Sequence, residues 1–289
     1  MPARVDRGRY ARRRTWGRIA LWMLVLLFTF QAVFPFAWGA ITAFKQDQDL
    51  YSRDNNPFLF NRPPTLEHVK LLLTGTSFGT FIKNTAVVAV LVVTITLAVS
   101  IPAAYSLGRF RLRWGTGAAI AIFFVYLIPP SLLFISLSPV VSMLGLQDSR
   151  WALVLLYPTI TIPVSVWLLT GFFKAIPKDI EEQAMVDGLS RFGAFLKVVL
   201  PLTLSGLIAV VVFSGTLATS EFLYALAFVS QTSQKTVSVG VPTDLVRGDI
   251  FFWQSLQAAT LLVAVPIAVL FNLFLKRFIS GFTMGAVKG

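Results

Sequence analysis

Few residues in this chain can do chemistry. There is no cysteine and a single histidine, His68. Thiolate catalysis, thiolate metal sites, a disulfide framework and a histidine-based triad or metal centre therefore fall away. No GxxxxGK[ST] phosphate loop occurs, so the chain does not bind ATP by that route. No residue is given a catalytic or metal-ligating role. The carboxylates remain, and they are unevenly spaced. Asp179, Glu181, Glu182 and Asp187 fall within Ile176–Pro201, with the bases Lys178, Arg191 and Lys197 among them. Glu221 stands alone in a run that otherwise reads as membrane-embedded, and an intramembrane carboxylate is a functional candidate by default. It lies about 20 residues beyond Pro201, near the outer end of a helix rising 1.5 Å per residue. That position favours a structural or gating role over direct contact with a solute on the substrate path.

These groups sit on a chain built for a bilayer. It is 56% hydrophobic and 13% charged, with a mean hydropathy of +0.74, whereas a soluble domain carries about 25% charged residues. Charge-free runs cover Ile19–Phe44, Asn84–Gly108, Trp114–Gln147, Trp151–Phe173, Val198–Ser220 and Ile250–Leu275. Each reaches the roughly 20 residues that take a helix across a bilayer, so an all-α protein with six transmembrane helices is expected. The first run is too long for a signal-peptide core and reads as a retained helix. The third exceeds the bilayer thickness, and Pro129-Pro130 predicts a kink in it. Pro158 and Pro163 also mark expected bends, and broken helices often border a transport pathway.

Lys and Arg set the orientation. Seventeen fall in the N-terminal tail, the second and fourth loops and the C-terminal tail, against eight on the other side. Both termini and the charged fourth loop are thus expected in the cytoplasm. The arginine-rich tail 1–18 and the cluster Arg109, Arg111 and Arg113 read as topology anchors beside anionic lipid, not as a nucleic-acid surface. The expected organisation is a basic tail 1–18, a transmembrane domain 19–276 and a C-terminal tail 277–289. Within the domain lie an outer segment 45–83 and a cytoplasmic elbow 176–200. In the outer segment Thr65 is a candidate N-cap for a short amphipathic helix, Thr65–Leu73. That helix suits either a soluble partner outside or the membrane interface. His68 on it reads as a solvated surface residue.

The fourth loop predicts two short helices. Asp179 and Glu182 have the three-residue spacing of a capping box. The helix they open should run to Asp187 and end at Gly188, whose backbone tolerates the left-handed turn. Ser190 can cap a second helix, Arg191–Val199, and Pro201 can open the next span, where a missing N–H is harmless. Ile180, Ala184 and Met185 share one face, and Phe192, Phe195, Leu196 and Val199 another. On the residues alone this is either a docking elbow or an ordinary interfacial one.

The string resembles the coupling loop of ABC importer permeases, which carries Glu-Ala-Ala, then Asp-Gly, then Leu-Pro. Here Glu182-Gln183-Ala184, Asp187-Gly188 and Leu200-Pro201 stand at the matching spacing, with Gln183 in place of the first alanine. The likeness extends along the chain. AAYSLGRFR at 103–111 and GFFKAIPKDIEE at 171–182 are similar to the end of the family's second helix and its lead-in to the loop. PTLEHVKLLL at 64–73 and SEFLYAL at 220–226 are similar to its carbohydrate-uptake branch, although Thr219 and Ser220 replace that branch's Trp-Asn. GFTMGAVKG at 281–289 resembles the tail of the maltose transporter's smaller permease subunit and its relatives.

The resemblance implies a type I ABC importer permease core in the inner membrane of a bacterium or archaeon. It implies a second homologous permease, two ATP-binding subunits that hold ATP and Mg, and an extracytoplasmic sugar-binding protein delivering a sugar. It places Glu182 against a basic residue in a cleft of the ATPase, and Phe282, Met284 and Val287 between partner subunits. The chain itself would bind no cofactor. An ion-coupled secondary transporter and an ABC permease for a non-sugar solute remain as alternatives; a membrane-embedded enzyme finds no catalytic constellation here.

Overall fold

The computed structural model describes residues 7–110, 113, 115–248 and 250–286, and the side chains among them except at 7–15, 116, 123 and 274–286. Among the described residues fourteen α-helices follow one another, with a π-turn, a 3-10 turn and one small hairpin between them. Helices are what a bilayer permits, because they satisfy every backbone group internally.

The chain divides into two units, Met1–Leu72 with Phe252–Ala264, and Leu73–Phe251 with Val265–Gly289. In the first, α1 (Arg7–Phe44) leads into the short α2 (Asp47–Leu50). The opening turns of α14 (Trp253–Ala286) pack here, with Ala258 and Ala259 buried. Gly39 lets Gln257 lie close, its Oε1 2.8 Å from where a Cβ would stand. Gln254 Nε2 donates to Asp47 Oδ1 at 2.9 Å. Thr65 Oγ1 accepts from Glu67 N at 3.2 Å, but α3 runs Glu67–Gly75, two residues later than the expected Thr65–Leu73, and Leu66 O takes its first turn's bond from Lys70 N. His68 is only 8% exposed. The expected solvated histidine is instead packed, its Nε2 3.7 Å from Asp47 Oδ1.

In the second unit α4 (Phe78–Arg109) packs along α7 (Arg150–Ala175) and α11 (Leu204–Ser220). Thr96 and Thr161, both fully buried, bring their hydroxyls to 2.6 Å between α4 and α7. The core falls into two clusters. One gathers Val88, Val92, Leu153, Tyr157 and Tyr224, and the other Ala104, Tyr105, Leu169, Phe173 and Val199.

Among the described residues four helices are long and apolar enough to cross a membrane: Trp16–Phe44, Phe78–Arg109, Arg150–Ala175 and Trp253–Leu273. Two bent pairs raise the number to six if each is one span. These are α5 (Gly115–Tyr126) with α6 (Pro130–Met143), bent by 94°, and Arg191–Leu202 with α11, bent by 70°.

Several boundaries differ from the sequence reading. The second span starts at Phe78, because Lys83 sits on an exposed face and does not interrupt the helix. The break at Pro129-Pro130 separates two helices where a kink is expected, whereas α7 runs unbroken through Pro158 and Pro163. The last helix starts at Trp253. Ile250–Phe251 (β2) instead pairs antiparallel with Val246–Arg247 (β1), around Gly248 at φ +60°. The same helix continues to Ala286, past residue 277, where a flexible tail is expected. The side chains of Phe282 and Met284, and Val287 altogether, lie outside the described residues.

Candidate functional site

The elbow is built from its backbone outward. Ile176 is extended and Pro177 stands at the N-cap of α8 (Lys178–Val186). The expected capping box is absent: Pro177 sets the helix start, and Asp179 falls inside the first turn with Glu181. There both acids favour the helix N-terminus through its dipole. At the other end Leu189 N donates to Ala184 O at 3.1 Å and Gly188 N to Met185 O at 3.1 Å. This pair of bonds is a Schellman closure, which needs a left-handed residue. Gly188 supplies it at φ +94°. Ser190 then caps α9 (Arg191–Ala194), its Oγ accepting from Gly193 N at 3.1 Å. The second piece is not one α-helix to Val199. Phe195–Val199 is a π-turn, and α10 (Leu200–Leu202), with Pro201 in its first turn, ends at the bend before α11.

Two adjacent acids take opposite directions. Glu182 is exposed, as are Gln183, Asp187, Gly188 and Pro201, whereas Ala184 is buried. Glu181 is 6% exposed. Its Oε2 lies 3.1 Å from Arg109 Nε, and its Oε1 accepts from the Tyr105 hydroxyl. Arg109 Nη1 also donates to Ile176 O at 2.8 Å. Tyr105 is ringed by Phe195, Phe110 and Phe173 at centroid distances of 4.5, 5.7 and 5.7 Å. Arg191 lies over the Phe110 ring at 5.2 Å. A cleft of about 440 Å³ opens beside the pair, lined by Arg109, Phe110, Lys178, Glu181, Glu182, Met185 and Arg191. Val186 and Phe192 project from the elbow, 87% and 68% exposed. Arg109, expected only as one anchor of a basic cluster, is also a buried partner of Glu181. Sequence reasoning missed it, together with Glu181 and Tyr105.

Glu221 lies at the break between α11 and α12 (Leu223–Phe228). Its carboxylate accepts from Tyr157 Oη at 2.9 Å, from Tyr224 N at 2.9 and 3.1 Å and from Ala225 N at 3.2 Å. Ser238 Oγ donates to its carbonyl at 2.7 Å, linking it to α13 (Val237–Leu245). Asn84 organises the same end of this unit. It donates to Ser233 O and Lys235 O, both at 2.9 Å, and accepts from Arg150.

A third polar centre is Asp49, in the outer segment and 1% exposed. It accepts from Asn61 Nδ2 at 2.8 Å, Asn61 N at 3.1 Å and Asn55 Nδ2 at 3.1 Å. Lys45, equally buried, lies 3.8 Å away and donates to Asn56 O. Burial pushes the Asp49 carboxyl up, but the Asn61 hydrogen bonds and the Lys45 charge outweigh it, and the net shift is below the ordinary value. Among the described residues no three His, Cys, Asp or Glu side chains gather to hold a metal ion.

A charged elbow on an all-α membrane core invites comparison with known transport proteins. Residues 72–284 match the family model described as the binding-protein-dependent transport system inner membrane component. The chain belongs to this family. As an ABC transporter permease it is a multi-pass inner-membrane protein. It is 33% identical over 280 residues to the inner membrane ABC transporter permease protein YcjP of Escherichia coli, covering 96% of this chain and 99% of that one. It is 33% identical over 258 residues to the sulfoquinovosyl glycerol transport system permease protein SmoH of Agrobacterium fabrum, covering 89% of each. It is 31% identical over 279 residues to the diacetylchitobiose uptake system permease protein DasC of Streptomyces coelicolor, covering 96% and 100%. The permease fold also matches a crystal structure of a bacterial ABC transporter involved in the import of the acidic polysaccharide alginate. The TM-score there is 0.78 at 18% identity, covering 96% of this chain and all of the other.

Proposed function

We propose that this permease forms half of the translocation pathway of an ATP-driven carbohydrate importer and receives the ATPase stroke through the elbow 176–200. The observation that carries the reading is the elbow itself. Its Schellman closure at Gly188 and cap at Ser190 fix two short helices at a set angle. They present an exposed Glu182 beside exposed Val186 and Phe192. A charge flanked by apolar side chains suits a protein partner better than water alone. The carbohydrate assignment is supported by the relatives named for sulfoquinovosyl glycerol and diacetylchitobiose transport, and by the trehalose/maltose transport system permease protein MalG of Thermococcus litoralis, 30% identical over 274 residues.

In this reading both termini and the elbow are cytoplasmic, with the basic tail 1–18 at one end and the tail from 277 docking between partners at the other. The partners are a second homologous permease, two ATP-binding subunits that hold ATP and Mg and hydrolyse the nucleotide, and an extracytoplasmic sugar-binding protein. Glu221 is a structural or gating residue. Its carboxylate is taken up by Tyr157 and the start of α12, which argues against the ion-coupled alternative. Uptake of labelled sugar into proteoliposomes holding the whole complex tests the proposal. Vanadate should abolish uptake and a protonophore should leave it intact; the reverse pattern would sink the ATP-driven reading.

A further inference from the structure

We propose that Glu181 and Arg109, closed by Tyr105, form a positioning latch that carries the elbow's movement into α4. The inference rests on the reading of residues 176–200 as the ATPase-coupling elbow and assigns its two neighbouring glutamates different tasks. Successive residues on a helix diverge by about 100°. Here that turn leaves Glu182 exposed and buries Glu181. One acid faces a partner, and the next faces the permease's own core.

The geometry is that of a tie. Arg109 is the last residue of α4, a helix of 32 residues. Its guanidinium forms an ion pair with the Glu181 carboxylate of α8 and donates from Nη1 to the Ile176 carbonyl just before that helix begins. A planar fork with several fixed donors can hold both at once; a lysine ammonium offers no such fork. The neighbouring rings of Phe195, Phe110 and Phe173 pack against Tyr105 at tilted or edge-on angles, and none of them belongs to α8. The ion pair sets the register. α8 also packs on α9 and the π-turn, and the pair ties it to α4 beside the cleft.

A buried ion pair is a poor device for stability alone, because well-packed apolar residues of similar volume often do as well or better, and its best-attested use is to fix a register or a switch. Here it joins a mobile input to a long rigid output. α4 packs along α7 through the Thr96–Thr161 contact, so a pull on Arg109 is spread along the membrane-spanning pair.

The test uses the whole complex in nanodiscs, with both ATPases and the binding protein, and reads two quantities separately. One is ATPase retention on purification; the other is the ratio of binding-protein-stimulated to basal hydrolysis. Glu181→Gln and Arg109→Lys should keep the ATPases bound and lower the stimulation ratio about tenfold. Glu182→Lys should instead shed the ATPases, so it reads the docking contact and Glu181→Gln reads the latch. Wild-type stimulation in Glu181→Gln overturns the latch. So does loss of the ATPases in that variant, which would make Glu181 part of the docking face. If Glu181→Gln does not assemble, Tyr105→Phe removes only the hydroxyl, and wild-type stimulation there overturns the proposal equally. Unchanged retention and stimulation in Glu182→Lys would sink the elbow reading on its own evidence.

Discussion

The Tyr157 hydroxyl donates to the Glu221 carboxylate at 2.9 Å across the interior of the larger unit. Tyr157 is fully buried, so its hydroxyl cannot exchange this bond for water without opening the core. Tyr157→Phe should therefore destabilise by about 1.5–3 kcal/mol, the usual contribution of a hydrogen bond to a charged group. Glu221→Leu should cost more, because it strips Tyr157, Tyr224 N and Ala225 N of their acceptor together. Thermal unfolding in one detergent, compared across the two variants, checks this. Equal or higher stability in Glu221→Leu would refute the assignment.

Acid should loosen the outer segment late. The Asp49 carboxyl lies below its ordinary value in the folded protein. A depressed folded value means that its stabilising effect is complete above the unfolded value and is lost as pH falls through the folded one. Order around Asn55 and Asn61 should therefore persist down to about pH 4 and fail below it. Asp49→Asn should remove that acid dependence and leave Lys45 buried without its charge partner. Hydrogen exchange at the Asn61 amide follows both; loss of protection already near pH 6 would contradict the assignment.

Topology can be read without background, since the chain has no cysteine. In the permease expressed without its ATPases, Ser52→Cys should react with an impermeant maleimide from outside. Val186→Cys should react only after the membrane is opened. Labelling of Val186→Cys in intact cells would reverse the orientation.

Gly188 should be sensitive for a backbone reason alone. A Cβ there meets nothing within 4 Å, but the residue sits at φ +94°. Gly188→Ala and Gly188→Val should each strain the turn by roughly 1–2 kcal/mol and reorient α9 relative to α8. Sugar uptake should drop while the amount of permease in the membrane stays constant. Full uptake in Gly188→Val would show that the turn's geometry is dispensable.

The C-terminal residues give a separate test. Deleting Ser280–Gly289 should weaken ATPase retention or stimulated hydrolysis and leave the binding protein's choice of sugar unchanged. Wild-type stimulation by the shortened permease would show that the end of the chain plays no part in docking.

The sequence foretold what depends on local chemistry. The helical spans follow from charge-free length, and Gly188 and Ser190 from turn and cap chemistry; the structure has both in those roles. It concealed what depends on distant partners. Arg109 resembles Arg111 and Arg113 in a basic cluster until folding brings it to Glu181, 72 positions on. Glu181 and Glu182 are alike in composition, and only the helix start set by Pro177 decides which one turns inward. His68 looks like a surface residue because a neighbour that packs on it, Ser255, stands 187 positions further along the chain. The hairpin at Ile250–Phe251 was masked for a similar reason: two apolar residues beside a long apolar run look like its beginning.

The π-turn at Phe195–Val199 has a bearing on how this chain can change length. Such a turn accommodates one residue more than an α-helical path needs, in a local bulge that leaves the helix on either side facing as before. Losing one residue there would flatten the bulge and keep Ala194 and Val210 pointing into the core. Losing one residue from Lys178–Ile180 would swing everything beyond it through about 100° and exchange the places of buried and exposed glutamate. Shortened descendants of this protein should therefore carry their deletions in the wide turn and spare the short helix before it.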